Sequence, residues 1–391
     1  MIVAGEASGD MRAAGLARAL KSLAPDLRLT GIGGEYMRQA GVECFTDITE
    51  LAVIGIAEVI KNLGRIKKVF DQTLQQIDTT HPDAVILVDY PGFNLRLAQE
   101  IKKRNLCHSK NQICHSRESG NPIKIIYYIS PQVWAWRENR VKKIKKLVDR
   151  MIVLFPFEQE IYTKYGMKVD YVGHPLVDEI VVDKGQTEVL KSLGLSASRV
   201  TIGLMPGSRA KEVDRHLKPM IEACQKMFDQ NKDMQFILIK ASSIPIKLIN
   251  DQLFGFKHLP LKIYEGPIYN GINAMDAAMV ASGTATLETA LLKKPMVIIY
   301  KTSWLTYYLA KSLIKIPCIG LVNIVAGKKI AEELIQNEAN ALNIANALSS
   351  ALHNQQAIEE LAAVKNSLGL PGASYRAAKI VLSEIGTIDS I

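Results

Sequence analysis

Short runs of β-branched and aliphatic residues recur along the chain, each followed by a turn and a segment with helical apolar spacing. Some runs are apolar at every position, such as AVILV at 84–88 and MIVLF at 151–155. Continuous runs of this length are typical of strands buried on both faces of a parallel sheet. The predicted strands are Ile2–Glu6, Arg28–Ile32, Ala84–Asp89, Lys124–Ser130, Arg150–Phe155, Val200–Met205, Gln235–Ile239, Ala278–Ala281 and Pro295–Tyr300.

The regular alternation of strands and helices indicates an α/β fold with helices on both faces of each sheet. The alternation breaks near Gly173–Gly185 and restarts at Val200, and 391 residues suffice for two domains. We therefore expect two doubly wound, Rossmann-like domains facing a central cleft, at residues 1–175 and 176–365. Ligands of such sheets bind at the carboxyl ends of the strands.

Composition and charge narrow the class of protein only modestly. With 48% hydrophobic and 22% charged residues the chain is of the folded globular kind. The net charge of +9 suits nucleic acid, anionic lipid or phosphorylated substrates without choosing among them. Five scattered cysteines favour a reducing compartment. We see no secretory signal and no apolar run of about 18 residues, so we expect a cytoplasmic protein that contacts a membrane from one side only.

A polar segment at about 105–122 stands where a few residues would connect a helix to a strand. It contains Cys107, His108, Cys114 and His115. Their spacing fits no zinc pattern, so we predict a surface insertion and no metal site.

The first candidate motif is GEASGD at 5–10, between an apolar strand and a helix. Small residues let the backbone approach a ligand closely, and a helix N-terminus offers free N–H groups. The alternative is an ordinary turn in which Ser8 or Asp10 caps the helix.

The second motif is VDYPGFN at 88–94, in which Asp89 ends a buried strand. A carboxylate at the carboxyl end of a strand and facing a cleft can act as a general base. Alternatively, Asp89 caps the next helix, although Asn94 would serve that purpose.

The third motif is SPQVWAWRENR at 130–140. Trp134 and Trp136 offer flat apolar surface for a sugar or an acyl chain, and Arg137 could meet a phosphate. The alternatives are core packing beside the lysine-rich helix that follows, and a membrane-facing role for those lysines.

Two motifs of the second half suit a diphosphate. In MPGSRAKEV at 205–213, backbone N–H groups at a helix start and the fork of Arg209 could stabilise a departing nucleotide without a metal. In ASGTATLE at 281–288, a second turn could meet phosphate and Glu288 could accept ribose hydroxyls. The alternatives are an Arg209–Glu212 ion pair and a solvated Glu288.

Two further stretches, Leu51–Phe70 and Tyr300–Pro317, combine bulky apolar residues with lysine. This composition suits helices that lie in a lipid interface. A core or a dimer interface would explain the same composition, and the sequence leaves both interpretations open.

Taken together, the motifs resemble those of the lipid-A-disaccharide synthase family over nearly the whole chain. The matching segments, in this order, are GEASGD, ELAVIGIAEV, VDYPGFN, ISPQVWAWRENRV, VGHPLVDE, LMPGSRAKEV, ASGTATLE and LVNIVAGKKIAEELIQ. Two features depart from the family pattern: the chain starts almost inside its first strand, and the 105–122 segment is an insertion.

The resemblance implies a GT-B glycosyltransferase of lipid A and lipopolysaccharide biosynthesis, which serves the Gram-negative outer membrane. It implies an inverting transfer of 2,3-diacylglucosamine from UDP-2,3-diacylglucosamine to 2,3-diacylglucosamine 1-phosphate, which forms a β-1,6 linkage. It also implies a homodimer on the cytoplasmic face of the inner membrane, with no metal, cofactor or nucleic acid. The segment 366–391 would be helical and would pack on the N-terminal domain or on a partner subunit.

The same resemblance assigns the site residues. Asp89 and Arg209 would be catalytic. The UDP contacts would be Gly207, Ser208, Arg209, Glu212, Ser282, Gly283, Thr284, Glu288 and Asn323. The acceptor and lipid contacts would be Glu6, Ser8, Asp10, Ser130, Trp134, Trp136 and Arg137.

Three other functions fit parts of this pattern. A UDP-N-acetylglucosamine 2-epimerase shares the architecture and would release a C2 epimer instead of a disaccharide and UDP. A non-catalytic UDP-sugar-binding protein would bind UDP without releasing it from a donor. A transferase that uses a polyprenyl acceptor would differ in acceptor competition.

Overall fold

The computed structural model describes residues 1–48, 63–108, 122–136, 138–313 and 316–387. The chain divides into two compact units, one of Met1–Pro175 with Leu370–Ile391 and the other of Leu176–Gly369. Each unit contains one parallel sheet with its own hydrophobic core. The predicted α/β architecture with two doubly wound sheets is confirmed.

The first unit is built on seven parallel strands in the order β3-β2-β1-β4-β5-β6-β7. The strands are β1 Ile2–Ala4, β2 Thr30–Gly33, β3 Glu43–Asp47, β4 Ala84–Val88, β5 Lys124–Tyr128, β6 Arg150–Val153 and β7 Val169–Tyr171. Every residue of β4 is buried, because this strand lies inside the sheet and is covered on both faces.

The described helices of this unit connect the strands and end the chain. They are α1 Ala7–Leu23, α2 Glu35–Gln39, α3 Leu63–Thr80, α4 Pro91–His108, α5 Val133–Trp136, α6 Arg140–Leu147, α7 Pro156–Lys164 and, at the C-terminus, α18 Ala373–Glu384. Helix α3 shows why such segments fold as helices: Val69, Thr73 and Ile77 recur every four residues and are its buried side.

The C-terminal helix α18 packs on α1 within the first unit. Its Arg376 guanidinium donates to the carbonyl of Val172 from Nε at 2.9 Å and from Nη2 at 2.6 Å. Near the end of the helix, Glu384 accepts a hydrogen bond from Arg150 at 3.3 Å. These bonds tie the last helix to the β6–β7 side of the sheet.

The second unit is built on six parallel strands in the order β10-β9-β8-β11-β12-β13. They are β8 Val200–Met205, β9 Met234–Ile239, β10 Leu261–Tyr264, β11 Ala277–Ala281, β12 Met296–Tyr300 and β13 Glu332–Ile335. The helices are α8 Leu176–Glu179, α9 Gln186–Ser192, α10 Ala210–Gln230, α11 Ile246–Leu253, α12 Ile268–Asn273, α13 Ala285–Leu291, α14 Trp304–Leu313, α15 Leu321–Ala326, α16 Ala341–Leu352 and α17 Gln355–Ser367, with 3₁₀ turns at Phe254–Phe256 and Gln336–Glu338.

The sequence pattern missed four strands, and all four lie at sheet edges. They are β3, β7, β10 and β13. An edge strand is not covered on all sides, so it lacks the continuous apolar run by which the central strands were predicted. In β7, for example, all three residues are only partly buried.

Each sheet reverses its direction of winding next to its first strand, between β1 and β4 in one unit and between β8 and β11 in the other. At such a point the connections that follow the two neighbouring strands run to opposite faces of the sheet. This leaves a crevice at the carboxyl ends of the strands. Four of the predicted motifs begin at these ends, two in each unit.

None of the described helices is both long and apolar enough to cross a bilayer. The predicted lipid-facing stretch Leu51–Phe70 lies outside the described residues except for its last turns in α3. Most of the predicted insertion, from 109 to 121, lies outside them as well, and so do Cys114 and His115.

Candidate functional site

In the first unit, the turns after β1 and β4 lie against each other. These strands are neighbours, with Ala4 opposite Val88. A side chain at Gly5 would overlap the ring of Tyr90, so only glycine allows this close approach. Burial, and after it the charge of Glu6 in the first turn, raises the pKa of Asp89 in the second. The structure thus brings GEASGD and VDYPGFN together.

Asp89 sits in an unusual backbone conformation at the end of β4. Its φ is +47° and that of Tyr90 is +43°, both in the left-handed region. Burial, reinforced by the charge of Glu6, raises the pKa of the Asp89 carboxyl group to about 6. A carboxyl group with such a pKa is a suitable proton acceptor near neutral pH.

A cavity of about 270 Å³ opens beside Asp89. Its lining includes Ser130 after β5, Arg140 at the start of α6, and Phe155 and Glu158 around the start of α7. The ends of three strands therefore contribute to one concave surface. Its lining contains two carboxyl groups, a hydroxyl and a guanidinium.

Glu158 is a site residue that the sequence analysis missed. It is buried, with 3% of its surface exposed. Burial raises the pKa of its carboxyl group to about 7, against hydrogen bonds from Trp134 and from backbone amides that favour the charged form. A glutamate in the first turn of a helix ordinarily serves as a cap, so nothing in PFEQE distinguished it.

The structure places Ser130 and Trp134 of the third motif around this carboxyl group. The indole Nε1 of Trp134 donates to Glu158 Oε1 at 3.2 Å, and its ring packs edge-on against Phe157. The Ser130 hydroxyl is buried and lies 2.8 Å from the Tyr162 hydroxyl. The side chain of Trp136 and the whole of Arg137 lie outside the described part of the chain.

The alternative interpretation of the first motif, in which Ser8 or Asp10 caps the helix that follows, is wrong. Helix α1 begins at Ala7, its N-cap is Glu6, and neither Ser8 nor Asp10 caps it. Buried Asp10 instead accepts hydrogen bonds from the amides of Gly34, Tyr36 and Met37 at 2.7, 3.1 and 3.2 Å. Both of its oxygens are used to cap α2, so Asp10 has a structural role, whereas Ser8 is exposed.

In the second unit, the turns after β8 and β11 are also adjacent. The two strands pair in parallel, with Met205 opposite Val280. PGSR and SGT therefore leave the sheet side by side at its winding reversal. Gly207 and Gly283 have φ of +121° and +154°, conformations that side chains rarely adopt. Both turns lead directly into helices, α10 and α13.

Arg209 and Glu212 form the ion pair that the sequence analysis considered as an alternative. Arg209 Nη1 lies 3.1 Å from Glu212 Oε1, and nearly half of the arginine side chain is exposed. The other oxygen of Glu212 accepts the amide N–H of Ser208 at 3.3 Å. Exposed pairs of this kind are weak, so an anionic ligand can compete for both Arg209 and this amide.

His216 is a second residue that the sequence analysis missed. It is buried and bonds to the Pro206 carbonyl through Nδ1 at 2.9 Å, while its Nε2 accepts the amide N–H of Lys301 at 2.9 Å. Burial lowers its pKa, so the ring is neutral. The PGSR turn is thereby fixed to the end of β12.

Glu288 lies in α13 and is buried, with 9% of its surface exposed. The alternative of a solvated helix face is therefore wrong. Thr284, the N-cap of the same helix, is exposed at the turn. The hydroxyl of Ser282 donates to the carbonyl of Ile319 at 3.1 Å, which fixes the start of the turn.

Asn323 makes four hydrogen bonds that fix a loop. Its amide group donates to the Ala331 carbonyl and to Glu333 at 2.8 Å each, and its oxygen accepts the amides of Ile330 and Ala331 at 2.9 Å each. Only 1% of its surface is exposed, so these bonds give Asn323 a structural role. The UDP contact that the resemblance assigned to it stays a prediction.

The other predicted lipid-facing stretch, Tyr300–Pro317, forms helix α14 in its described part. Trp304 and Tyr308 are 50% and 62% exposed, and their rings stack. Tyr307 completes the cluster edge-on to both rings.

The chain combines two Rossmann-like parallel sheets with turns that can bind an anion. Solved structures of proteins that act on nucleotide sugars or transfer sugars share this fold over nearly the whole chain. The S. aureus MnaA–UDP co-structure superposes with a TM-score of 0.67 at 13% identity and covers 100% of this chain and 97% of that one. The glycotransferase of kitacinnamycin superposes at 0.64 with 15% identity and covers 98% of both chains. A putative UDP-N-acetylglucosamine 2-epimerase from Listeria monocytogenes superposes at 0.65 with 13% identity and covers 100% of this chain and 97% of that one. The fold is shared by GT-B glycosyltransferases and UDP-N-acetylglucosamine 2-epimerases.

Sequence comparison decides within this class. The model of the lipid-A-disaccharide synthetase family matches residues 1–380. The lipid-A-disaccharide synthase of Geobacter sulfurreducens is 43% identical over 99% of this chain and 97% of its own length. That of Syntrophus aciditrophicus is 42% identical over 100% and 98%. The chain belongs to the lipid-A-disaccharide synthase family and is a glycosyltransferase, and the 2-epimerase alternative is not favoured.

Proposed function

We propose that this chain transfers 2,3-diacylglucosamine from UDP-2,3-diacylglucosamine to the 6-hydroxyl of 2,3-diacylglucosamine 1-phosphate, with inversion. The products are a β-1,6-linked disaccharide 1-phosphate and UDP. Relatives above 40% identity over nearly the full chain carry the name of this activity. The structural observation that carries the proposal is the pairing of a base-competent Asp89 with a cavity lined by polar groups.

In the proposed mechanism, the acceptor sugar occupies the cavity and its hydroxyl donates a proton to Asp89 while its oxygen attacks the anomeric carbon of the donor. A raised pKa suits this role because the carboxylate must hold the proton at near-neutral pH. Such assistance accelerates a reaction by roughly 10²–10⁴. We assign the orientation of the sugar to Ser130, which lines the same cavity.

The second unit would bind the UDP part of the donor. The PGSR and SGT turns offer backbone N–H groups, and Arg209 offers a charged fork to the diphosphate. These groups stabilise the negative charge that develops on UDP as the bond to the sugar breaks. Glu288 would accept the ribose hydroxyls. We propose no metal and no cofactor for this step.

Acyl chains and membrane association follow from the substrates. Each buried CH₂ group contributes roughly 0.8 kcal/mol, so binding should depend on the acyl chains. We propose that the protein works as a homodimer on the cytoplasmic face of the inner membrane. The exposed aromatic side chains of α14 are one surface suited to an interface with lipid.

The test is an assay of purified protein with UDP-2,3-diacylglucosamine and 2,3-diacylglucosamine 1-phosphate, analysed by mass spectrometry. We expect a disaccharide 1-phosphate and equimolar UDP, with strong loss in Asp89→Asn. A deacylated acceptor should react poorly. Formation of a C2 epimer, or UDP binding without turnover, would reject the proposal.

A further inference from the structure

The backbone carbonyl of Asp89 is held by two side chains that take no part in the proposed proton transfer. The side-chain nitrogen of Asn94 donates to this oxygen at 2.8 Å, and the hydroxyl of Tyr127 donates to it at 2.6 Å. The Asn94 nitrogen also donates to the carbonyl of Val88 at 3.2 Å. Asn94 thus bonds back to the end of β4 and does not cap α4, which begins at Pro91.

The bonded carbonyl belongs to the peptide group that links Asp89 to Tyr90, the two left-handed residues. The left-handed region is unfavourable for residues that carry a Cβ atom, above all for bulky ones. Such a conformation persists only where the surrounding structure fixes it. Two hydrogen bonds to the connecting peptide supply that constraint.

Both donors are completely buried, with 0% of Asn94 and Tyr127 exposed. Within the described part of the chain, the side-chain oxygen of Asn94 has no hydrogen-bond partner, which is unfavourable in an interior. The benefit of an amide at this position therefore lies in its donated bonds. Both side chains are held in place by the packed core of the first unit, so they are rigid supports.

We propose that Asn94 and Tyr127 are positioning residues: by holding the Asp89–Tyr90 peptide in its left-handed conformation, they direct the Asp89 carboxyl group into the adjoining cavity. The inference rests on the proposed role of Asp89 as the base. A reacting group displaced by about 1 Å can lose about 100-fold in rate. The two bonds would therefore influence kcat without contacting either substrate.

The experiment measures kcat and KM of the full chain for Tyr127→Phe and Asn94→Leu, each alone and combined with Asp89→Asn. We expect kcat to fall about tenfold in Tyr127→Phe, as for one lost hydrogen bond, and up to about 100-fold in Asn94→Leu. KM for both substrates should stay within about twofold. Tyr128→Phe is the matched control, since neighbouring residues of a strand point to opposite faces.

The combination with Asp89→Asn separates positioning from a general structural role. If the two residues act through Asp89, either substitution should change kcat by less than about twofold once the carboxyl group is gone. A tenfold or larger loss in that background would overturn the inference, and so would parent-like kcat in both single variants.

The activity of Asp89→Asn distinguishes a wrong positioning role from a wrong assignment of the base. If Asp89→Asn turns over like the parent, Asp89 is not the base and both are rejected. If Asp89→Asn loses most of its activity but Tyr127→Phe and Asn94→Leu are as active as the parent, only the positioning role is rejected. Tyr127→Phe removes a single oxygen atom, so it remains informative if Asn94→Leu does not fold.

Discussion

The imidazole Nε2 of His216 accepts the amide N–H of Lys301 at 2.9 Å. This bond requires a neutral ring whose proton is on Nδ1, and Nδ1 accordingly donates to the Pro206 carbonyl. A helix residue thereby joins the turn after β8 to the end of β12. This side chain thus helps to fix the proposed diphosphate-binding turn.

His216→Phe should therefore weaken UDP binding and stability together. The substitution keeps a buried ring but leaves a carbonyl and an N–H without partners, at a cost of about 3 kcal/mol. The lowered pKa adds a pH dependence in the parent. As pH falls below 6.5 the unfolded histidine takes up a proton and the native one does not, so stability falls.

Chemical denaturation at pH 5.5 and pH 7.5, with UDP calorimetry, measures both effects. In His216→Phe the loss of stability on going to pH 5.5 should be smaller than in the parent. An unchanged affinity for UDP in the folded variant would disconnect His216 from the nucleotide site.

Asp89→Asn should stabilise the protein at alkaline pH while it lowers the activity by roughly 10²–10⁴-fold. The native pKa of about 6 is above the ordinary 3.8, so the native state holds the proton more tightly. Stability contributed by this group is therefore lost as pH rises from about 4 to about 6. An uncharged asparagine avoids this loss. The melting temperature of the Asp89→Asn variant at pH 8 should therefore exceed that of the parent protein.

The same pKa predicts the pH profile of kcat/KM, which reports the free enzyme and should rise through about pH 6 and then level off. Glu6→Gln is the matched control: removing the neighbouring negative charge should move the rise to lower pH. A profile that does not respond to Glu6→Gln would contradict the assignment of this titration to Asp89.

Glu158→Gln should remove the contribution of Glu158 to the pH dependence of the free energy of unfolding, which is separate from that of Asp89. The native pKa of about 7 exceeds the ordinary 4.5 because the group is buried, so parent stability falls as pH rises between these values. The full effect corresponds to about 3 kcal/mol. Urea titrations at pH 5 and pH 8 should show a smaller difference in the variant than in the parent, and an equal difference would refute the prediction.

Arg209→Ala should weaken UDP binding without changing stability. The Arg209–Glu212 pair is exposed, so its loss should change the free energy of unfolding by less than about 0.5 kcal/mol. A charged hydrogen bond to phosphate contributes more, and we expect about a tenfold loss of affinity by calorimetry. Lys232→Ala, which breaks an exposed pair with Asp229 just beyond the other end of α10, is the control and should bind UDP normally.

Asn323→Ala should destabilise the second unit and leave UDP affinity unchanged while the protein is folded. Four buried hydrogen bonds are lost, at a cost of about 3 kcal/mol. Asn340→Ala, which removes a helix N-cap, should cost only about 1 kcal/mol. A variant with normal stability and impaired UDP binding would support the predicted contact between Asn323 and UDP.

The amino-acid sequence by itself determined the central strands and the turns that follow them. Runs such as Ala84–Val88 are apolar at every position because both faces of the strand are covered. Such a run predicts a central strand from the sequence alone. Asp89, PGSR and SGT then stand at strand ends by necessity. The motifs also sufficed to identify the family.

Only the tertiary structure decided which polar side chains serve a ligand and which serve the fold. Asp10 bonds to amides 24 to 27 residues away, and His216 bonds to an amide 85 residues away, so no local pattern could show either. Glu158 accepts the amide N–H of Phe155 as a helix cap would, and only the fold shows that it also lines the cavity with Asp89. A hydrogen bond depends on distances of about 3 Å between atoms, and folding, not sequence spacing, sets those distances.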